Sequence, residues 1–238
     1  VRRALTMAIN RDELVQAYLG KHGQAAFGGI SPLFRWAYND SLKPLPFDPR
    51  ESQTLLEKDG WRDSDGDGVL DKGGVRFAFA LKVPAGNQLR NVVAAAVQQQ
   101  LRQVKIAMTI EQVERGTFWQ EVTTRKYDAW LAGFSVPLQM QLEDLWGSDL
   151  EKYPFNLTGF RNSRIDRILA AARTLKAEAE GASLWKEFQK IVHEEQPCTF
   201  LYWINNIVAV NKHVRGTRIG VLGTAHHAWE WHVDNAGQ

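Results

Sequence analysis

The densest group of potential metal ligands is an acidic turn, DSDGDGVLDKGG, at residues 63–74. It contains four carboxylates around glycine-permitted bends: Asp63, Asp65, Asp67 and Asp71. Alternating carboxylates of this kind can converge on one hard cation such as calcium. However, the position that would carry the bidentate glutamate of a calcium loop is Gly74. We therefore predict an acidic turn whose only alternative role is a weak structural calcium site, and we predict no other cofactor.

Histidines form a second group of potential ligands, near the end of the sequence. His226, His227 and His232 surround Trp229, and a short histidine-rich tract can bind a transition metal. If residues 229–233 form a strand, His232 projects from the face opposite Trp229. A packed or solvated role is therefore favoured for these histidines.

No catalytic residues are predicted. Cys198 is the only cysteine, and within the apolar run QPCTFLYW it has the character of a core residue rather than a nucleophile. The sequence contains no GxSxG, HExxH, P-loop or Rossmann glycine pattern. Adjacent carboxylates such as Glu143 and Asp144 point in different directions on a helix, so they do not form a catalytic pair.

Composition excludes several classes of protein. The 238 residues carry a net charge of only +2, and the basic residues form no block, so nucleic-acid binding is not expected. No apolar run approaches the roughly 20 residues that a membrane helix needs. The nine tryptophans are unusual, and they fit both core packing and a ligand cleft lined by rings.

The segment that the other elements must position is residues 127–160. It opens as a strand, 127–134, that is apolar on both faces, which is typical of a strand covered by helices on both sides. About twenty irregular residues follow, with Trp146 and Asn156 among them. A long irregular segment leaving a buried strand is where α/β proteins usually place ligand contacts.

The remaining sequence predicts an α/β fold with a mixed sheet flanked by helices. Asn10 and Asp48 are predicted helix caps, and residues 75–83, 89–101 and 106–110 predict a strand–helix–strand unit with parallel strands. Two further helices are expected between residues 165 and 192. Strands are expected at 199–204 and 207–210.

Several stretches, in order along the chain, resemble the peptide/nickel-type extracellular solute-binding proteins of ABC importers. They are VRRALTMAINRDELVQAYLGKHG, FDPRESQTLLEKDGWRDSDGDGVLD, YDAWLAGF, NLTGFRNSRIDRIL and EEQPCTFLYWINNIVAVNKHVRG. The resemblance implies the C-terminal lobe of a two-lobed periplasmic-binding-protein fold that closes on its solute. It implies residues 1–205 as the ligand-binding lobe and residues 206–238 as a tail that crosses the hinge and completes a missing N-terminal lobe.

The function implied by the resemblance is solute capture for an ABC importer, with a peptide or peptide-like solute. Its partners would be that small solute or peptide, an ABC permease in the membrane and the missing N-terminal lobe of the same protein. The protein would be periplasmic or extracellular, with a lipid anchor as an option. The sequence starts within a helix and has no signal peptide, so we expect it to be a piece of a longer chain.

Five residues are predicted to line or flank the ligand cleft, from the resemblance together with strand-end geometry: Phe134, Ser135, Trp146, Asn156 and Trp203. The rings would supply apolar contacts, and Ser135 and Asn156 hydrogen bonds.

Two positions depart from the family's pattern. In peptide binders an aspartate lies three positions after the aromatic residue of the cleft. Here Phe134 takes the place of that aromatic residue, and Pro137 stands where the aspartate would be. In the oligopeptide branch an arginine lies three positions before the aromatic residue, and here that position is Leu131. A buried ammonium needs a paired carboxylate, so amine capture by the family's route is not expected unless Glu143 or Asp144 substitutes.

Two alternative functions remain at this stage. A tryptophan-rich extracellular hydrolase acting on a glycan or peptide would need two separated carboxylates facing one cleft. A calcium-stabilised adhesion module would need a metal at the acidic turn.

Overall fold

A computed structural model describes residues 1–135, 140–175, 177–218, 220, 223 and 225–234. Eight α-helices lie in these residues: α1 Arg2–Met7, α2 Arg11–Tyr18, α3 Pro49–Lys58, α4 Gln88–Gln103, α5 Arg115–Thr123, α6 Glu143–Trp146, α7 Ser163–Ala172 and α8 Ala182–Glu195. The described residues also form nine strands: β1 Gly23–Ala25, β2 Asp71–Lys72, β3 Val75–Arg76, β4 Ala78–Pro84, β5 Ala107–Val113, β6 Ala129–Trp130, β7 Tyr202–Ile204, β8 Val214–Arg215 and β9 His232–Val233.

A three-stranded parallel sheet in the order β5-β4-β6 is the centre of the fold. Strand β4 pairs with β5 along its whole length, from Ala78 opposite Ala107 to Pro84 opposite Val113. Helix α4 makes the crossover between these two strands. The predicted parallel strand–helix–strand unit is therefore confirmed.

Helices cover both faces of this sheet. On one face, Leu81 and Val83 pack with Val93 and Val97 of α4 in what we call the sheet core. On the other face, the buried ring of Phe118 in α5 packs in a smaller cluster with partly buried residues that include Trp130. The prediction of a strand covered on both sides is confirmed.

Strand β6 is much shorter than the predicted strand at residues 127–134. Only Ala129 and Trp130 pair with β4, and the amide of Leu131 adds one hydrogen bond of 2.9 Å to the carbonyl of Lys82. The chain then leaves the sheet, so residues 131–135 lie at its edge rather than within it.

Both predicted caps are present. The side chain of Asn10 accepts a hydrogen bond from the amide of Glu13, and that of Asp48 accepts one from the amide of Glu51 at the start of α3. Each carboxamide or carboxylate satisfies an amide that the helix leaves unpaired.

A second core, which we call the helical core, holds the part of the chain outside the sheet. Its buried residues come from α6, α7, α8, the segments next to α6 and the loop before α3, and they include Ile30, Trp146, Ile165, Trp185 and Phe188. The loop is fixed by the buried guanidinium of Arg11, which donates to the carbonyls of Ala26, at 2.9 Å, and Leu45.

Antiparallel pairs lie outside the parallel sheet, so parallel and antiparallel pairing occur in separate sheets. Strand β7 pairs with β1 and is shorter than the predicted strand at 199–204. Residues 207–210, which the structure describes, form no strand, and the prediction of one there is wrong. Among the described residues no helix is long and apolar enough to cross a membrane.

Candidate functional site

The candidate site lies where the parallel strands end. Strands β4, β5 and β6 finish at Pro84, Val113 and Trp130, and their carboxyl ends meet at one edge of the sheet. Open parallel sheets bind ligands outside this edge. We call residues 85–90, 114–119 and 131–135 together the carboxyl edge.

Arg90, in the first turn of α4, contributes a positive charge to the carboxyl edge. Its Nη2 lies 3.8 Å from the point that a Cβ would occupy at Gly133, so the guanidinium of α4 reaches the chain leaving β6. Arg90 is half-buried, and no carboxylate among the described residues lies in ion-pair contact with it. The positive charge therefore lies beside the segment that leaves β6.

Two aromatic rings pack together at the carboxyl edge. The ring of Phe134 lies 6.0 Å from that of Trp119 in α5, at an interplanar angle of 54°, and Phe134 is 43% exposed. Ser135 follows and is also exposed. An exposed ring at a strand end is suited to apolar contacts, and the contact of Phe134 and Ser135 with solute stays a prediction.

Trp146 does not have the exposure that its predicted contact with a ligand requires. It is only 6% exposed, and its ring packs in the helical core at 5.5 Å from Phe188 and 6.1 Å from Phe200. The expectation that it lines the cleft is revised: Trp146 is a core residue, because it supplies the ring that the loop and α8 pack against.

Asn156 is likewise in the interior. It is fully buried, and its Nδ2 donates to the carbonyls of Gly147, at 2.9 Å, and Phe160, at 2.8 Å. Its Oδ1 accepts from the Thr158 hydroxyl. All of these bonds hold the irregular segment together, so we assign Asn156 a structural role instead of the predicted solute contact.

The other residues predicted to bind the solute or its amino group differ in where they lie and in what they contact. Trp203 is half-buried in β7 opposite Gln24, and its contact with solute stays a prediction. Glu143 starts α6 and lies 3.9 Å from Arg173, so it is a helix start. Leu131 packs against the sheet core, and Pro137 lies outside the described residues.

The carboxylates of the acidic turn are already engaged. Asp63 forms an ion pair of 2.8 Å with Lys105, Asp67 one of 2.7 Å with Arg76, and Asp71 accepts a 2.6 Å hydrogen bond from the Ser64 hydroxyl.

Three aspartates of the acidic turn offer oxygens that lie within 4.8 Å of one another: Asp63, Asp65 and Asp67. Exposed acidic turns adopt such geometry without a cation as well, so calcium binding here stays a prediction.

The titrating groups give no support to the hydrolase alternative. A hydrogen bond from Lys105 lowers the pKa of Asp63, and one from Ser64 lowers that of Asp71, whereas a general acid needs a raised pKa. Burial raises the pKa of the Cys198 thiol to about 12, so the reactive thiolate is scarce at neutral pH.

The tail histidines are engaged with their neighbours. The Nδ1 of His227 lies 3.0 Å from a carboxylate oxygen of Glu230, and that of His232 lies 3.2 Å from the Glu230 carbonyl. Residues 228–230 form a 3-10 turn rather than the start of a strand. The packed role favoured for these histidines is consistent with these contacts.

Glu114 at the carboxyl edge makes stability depend on pH. Its pKa is lowered because its carboxylate accepts hydrogen bonds from the amides of Gly116 and Thr117 at the start of α5. A lowered folded-state pKa gives stability that is present above the ordinary value of 4.5 and is lost as pH falls through the folded-state value. We expect Glu114→Gln to lower the melting temperature at pH 7 and to have a smaller effect at pH 3. An equal effect at both pH values would contradict this assignment.

Two residues of the carboxyl edge were missed from the sequence, Arg90 and Trp119. The sequence pattern indicated ligand contacts only in the irregular segment after β6. The same strand-end rule applied to β4 and β5 points to the starts of the helices that follow them, where Arg90 lies in the first turn of α4 and Trp119 in the second turn of α5.

The family model described as "Bacterial extracellular solute-binding proteins, family 5 Middle" matches residues 1–147. The oligopeptide-binding protein AppA of Bacillus subtilis is 30% identical over 220 residues, which are 91% of this chain and 40% of AppA. A dipeptide-binding protein of Pseudomonas aeruginosa is 26% identical over 222 residues, covering 92% of this chain and 40% of that protein.

A solved structure shows the same fold. The structure of AppA from Bacillus subtilis in complex with a nonapeptide superposes with a TM-score of 0.89 at 27% identity, over 98% of this chain and 47% of AppA. The chain thus spans about 40% of the length of the curated relatives that it matches.

Proposed function

Because the chain belongs to the family 5 bacterial extracellular solute-binding proteins, we propose that it captures a peptide or peptide-like solute for an ABC importer. The observation that carries this proposal is the carboxyl edge, where Arg90 approaches Gly133 and the exposed ring of Phe134 packs with Trp119. A cationic group and apolar rings at the ends of the same parallel strands fit a solute that has both ionic and apolar parts.

We propose that residues 1–205 form one ligand-binding lobe and that residues 206–238 cross a hinge into a second lobe. The tail exposes large apolar side chains, among them Ile207 at 66% and Trp229 at 77%, and such surface is normally covered by other protein. An N-terminal lobe of the same protein would cover it. Closure of the two lobes would then bury the solute between them.

The proposal also includes a membrane partner and a location for the protein. The loaded protein would deliver its solute to an ABC permease from a periplasmic or extracellular location, with a lipid anchor as an option. It would carry out no chemistry, which agrees with relatives that are named as binding proteins. The hydrolase alternative has no observation in its favour.

Native mass spectrometry of the full-length protein, purified without added ligand, tests the proposal. Slow release from a closed clamp retains solute through purification, so we expect a bound mass that matches a peptide or peptide-like molecule. An empty protein whose melting temperature does not change with a mixture of di- to pentapeptides would contradict the proposal. Cleavage of those peptides would favour the hydrolase.

A further inference from the structure

We propose that Lys82 is a positioning residue of the solute site. Through Glu121 it sets the rotation of α5 about the helix axis, and α5 carries Trp119, the ring on which the exposed Phe134 packs at 6.0 Å. This inference rests on the proposed function. It concerns a residue whose own side chain is only 12% exposed.

Lys82 lies in the central strand of the sheet, close to its carboxyl end. It is opposite Glu111 of β5 in the strand register, and its carbonyl accepts the 2.9 Å hydrogen bond from the amide of Leu131, where the chain leaves β6. Leu81 and Val83 pack in the sheet core. Because side chains alternate along a strand, Lys82 points to the other face, which α5 covers.

The ammonium of Lys82 pairs with carboxylates from two different elements. Its Nζ lies 2.8 Å from Glu121 of α5 and 3.3 Å from Glu111 of β5. The hydrogen bond with Glu121 is the largest of the effects that raise the pKa of Lys82, so the side chain stays charged at neutral pH. The shorter contact therefore joins α5 to the central strand.

The apolar contacts of α5 form a narrow stripe. Two of its nine residues are buried, Phe118 and Val122, and they lie one turn apart. At about 100° per residue, Glu121 projects from one side of this stripe and Trp119 from the other. The ion pair with Lys82 and the ring contact of Trp119 are thus on opposite sides of the helix, and a rotation of α5 would disturb both.

The ion pairs of Lys82 are suited to fixing geometry more than to adding stability. The side chains of Glu111 and Glu121 are 49% and 29% exposed, and solvent screens ion pairs of this kind. Ionic groups between packed elements can instead select one arrangement of those elements. We therefore expect loss of Lys82 to let α5 turn and to shift Trp119 relative to Phe134, with little change in stability.

Fluorine NMR of the full-length protein labelled with 5-fluorotryptophan tests the position of Trp119 without any solute. The resonance of Trp119 is the one that Trp119→Phe removes. We expect Lys82→Met and Glu121→Ala to shift this resonance, and Lys82→Arg to keep it near its original position because a guanidinium still pairs with Glu121. The melting temperature of each variant checks that it folds and is expected to change by less than about 3 °C.

Glu111→Ala is the matched control, because it removes the other carboxylate partner of the same lysine from β5 rather than from α5. It is expected to leave the Trp119 resonance in place. A resonance that does not move in Lys82→Met and Glu121→Ala, or that moves equally in Glu111→Ala, would overturn the inference. If Lys82→Met does not fold, Glu121→Ala alone decides.

Calorimetric titration with a set of apolar tripeptides then connects Trp119 to the solute. We expect Lys82→Met and Glu121→Ala to weaken binding by about 2- to 30-fold, the range for residues that act without touching the ligand, and Glu111→Ala to leave it unchanged. A shifted resonance with unchanged affinity would overturn the positioning role. Failure of the unsubstituted protein to bind any of the tripeptides would overturn the peptide part of the proposed function, and the fluorine spectra would still decide whether Lys82 positions α5.

Discussion

Replacing Trp146 by alanine is expected to lower the free energy of unfolding by about 3–5 kcal/mol, the usual cost of removing a large buried ring. The ring is nearly inaccessible and packs against Phe188 and Phe200. Its removal would leave a cavity between the loop at Ile30 and α8. The neighbouring helices could fill this cavity only by giving up their present packing contacts in the helical core. Urea denaturation followed by far-ultraviolet circular dichroism measures the effect.

Phe134→Ala is the matched control, since it removes an exposed aromatic ring from the same segment. We expect it to change the free energy of unfolding by less than about 1 kcal/mol and to weaken solute binding. The opposite result would be a Trp146→Ala variant that stays stable but does not bind solute, together with a Phe134→Ala variant that binds normally. That result would show that Trp146 contacts the solute and would contradict its assignment to the core.

Asn156→Ala is expected to cost about 2–5 kcal/mol. Its amide is the donor to two buried carbonyls, those of Gly147 and Phe160, and each buried acceptor left without a partner costs about 1–3 kcal/mol. The irregular segment that leads from α6 to α7 depends on these bonds because they join Gly147, near its start, to Phe160, near its end. The same denaturation measurement applies.

Ser135→Ala provides the comparison for Asn156, because it removes a polar group that is exposed at the carboxyl edge. Its expected effect on stability is within about 0.5 kcal/mol. If Asn156→Ala were equally mild while solute affinity fell, the amide would be a ligand contact, as its sequence position suggested, and the structural role would be wrong.

The sequence was informative wherever local rules decide the outcome. Caps at Asn10 and Asp48 were predictable because a side-chain oxygen three residues before an unpaired amide satisfies it locally. The parallel pairing of β4 and β5 followed from a helix between two strands, since a hairpin cannot join parallel neighbours. Both are confirmed.

The irregular segment shows where such rules fail. The sequence located ligand contacts in residues 127–160, but it could not tell which side chains point inward. Trp146 and Asn156 are of the residue types that bind ligands, yet tertiary packing buries both. Arg90 was missed because nothing local to α4 shows that Gly133, more than forty positions later, leaves room for its guanidinium.

Strand lengths were also set by tertiary contacts. Alternating apolar residues suggested a strand at residues 127–134, but only Ala129 and Trp130 find partners on β4. Similarly, residues 207–210 are apolar and β-branched enough to predict a strand, yet they pair with no strand among the residues that the structure describes. A strand needs a partner, and a sequence pattern alone does not supply one.

Hydrogen–deuterium exchange of the full-length protein, with its solute bound and after its removal, tests most directly whether the solute lies at the carboxyl edge. We predict slower exchange of the bound form at residues 85–90 and 131–135, with Arg90→Gln weakening that protection. Protection confined to residues 143–173, with no change at the carboxyl edge, would contradict this account of the site.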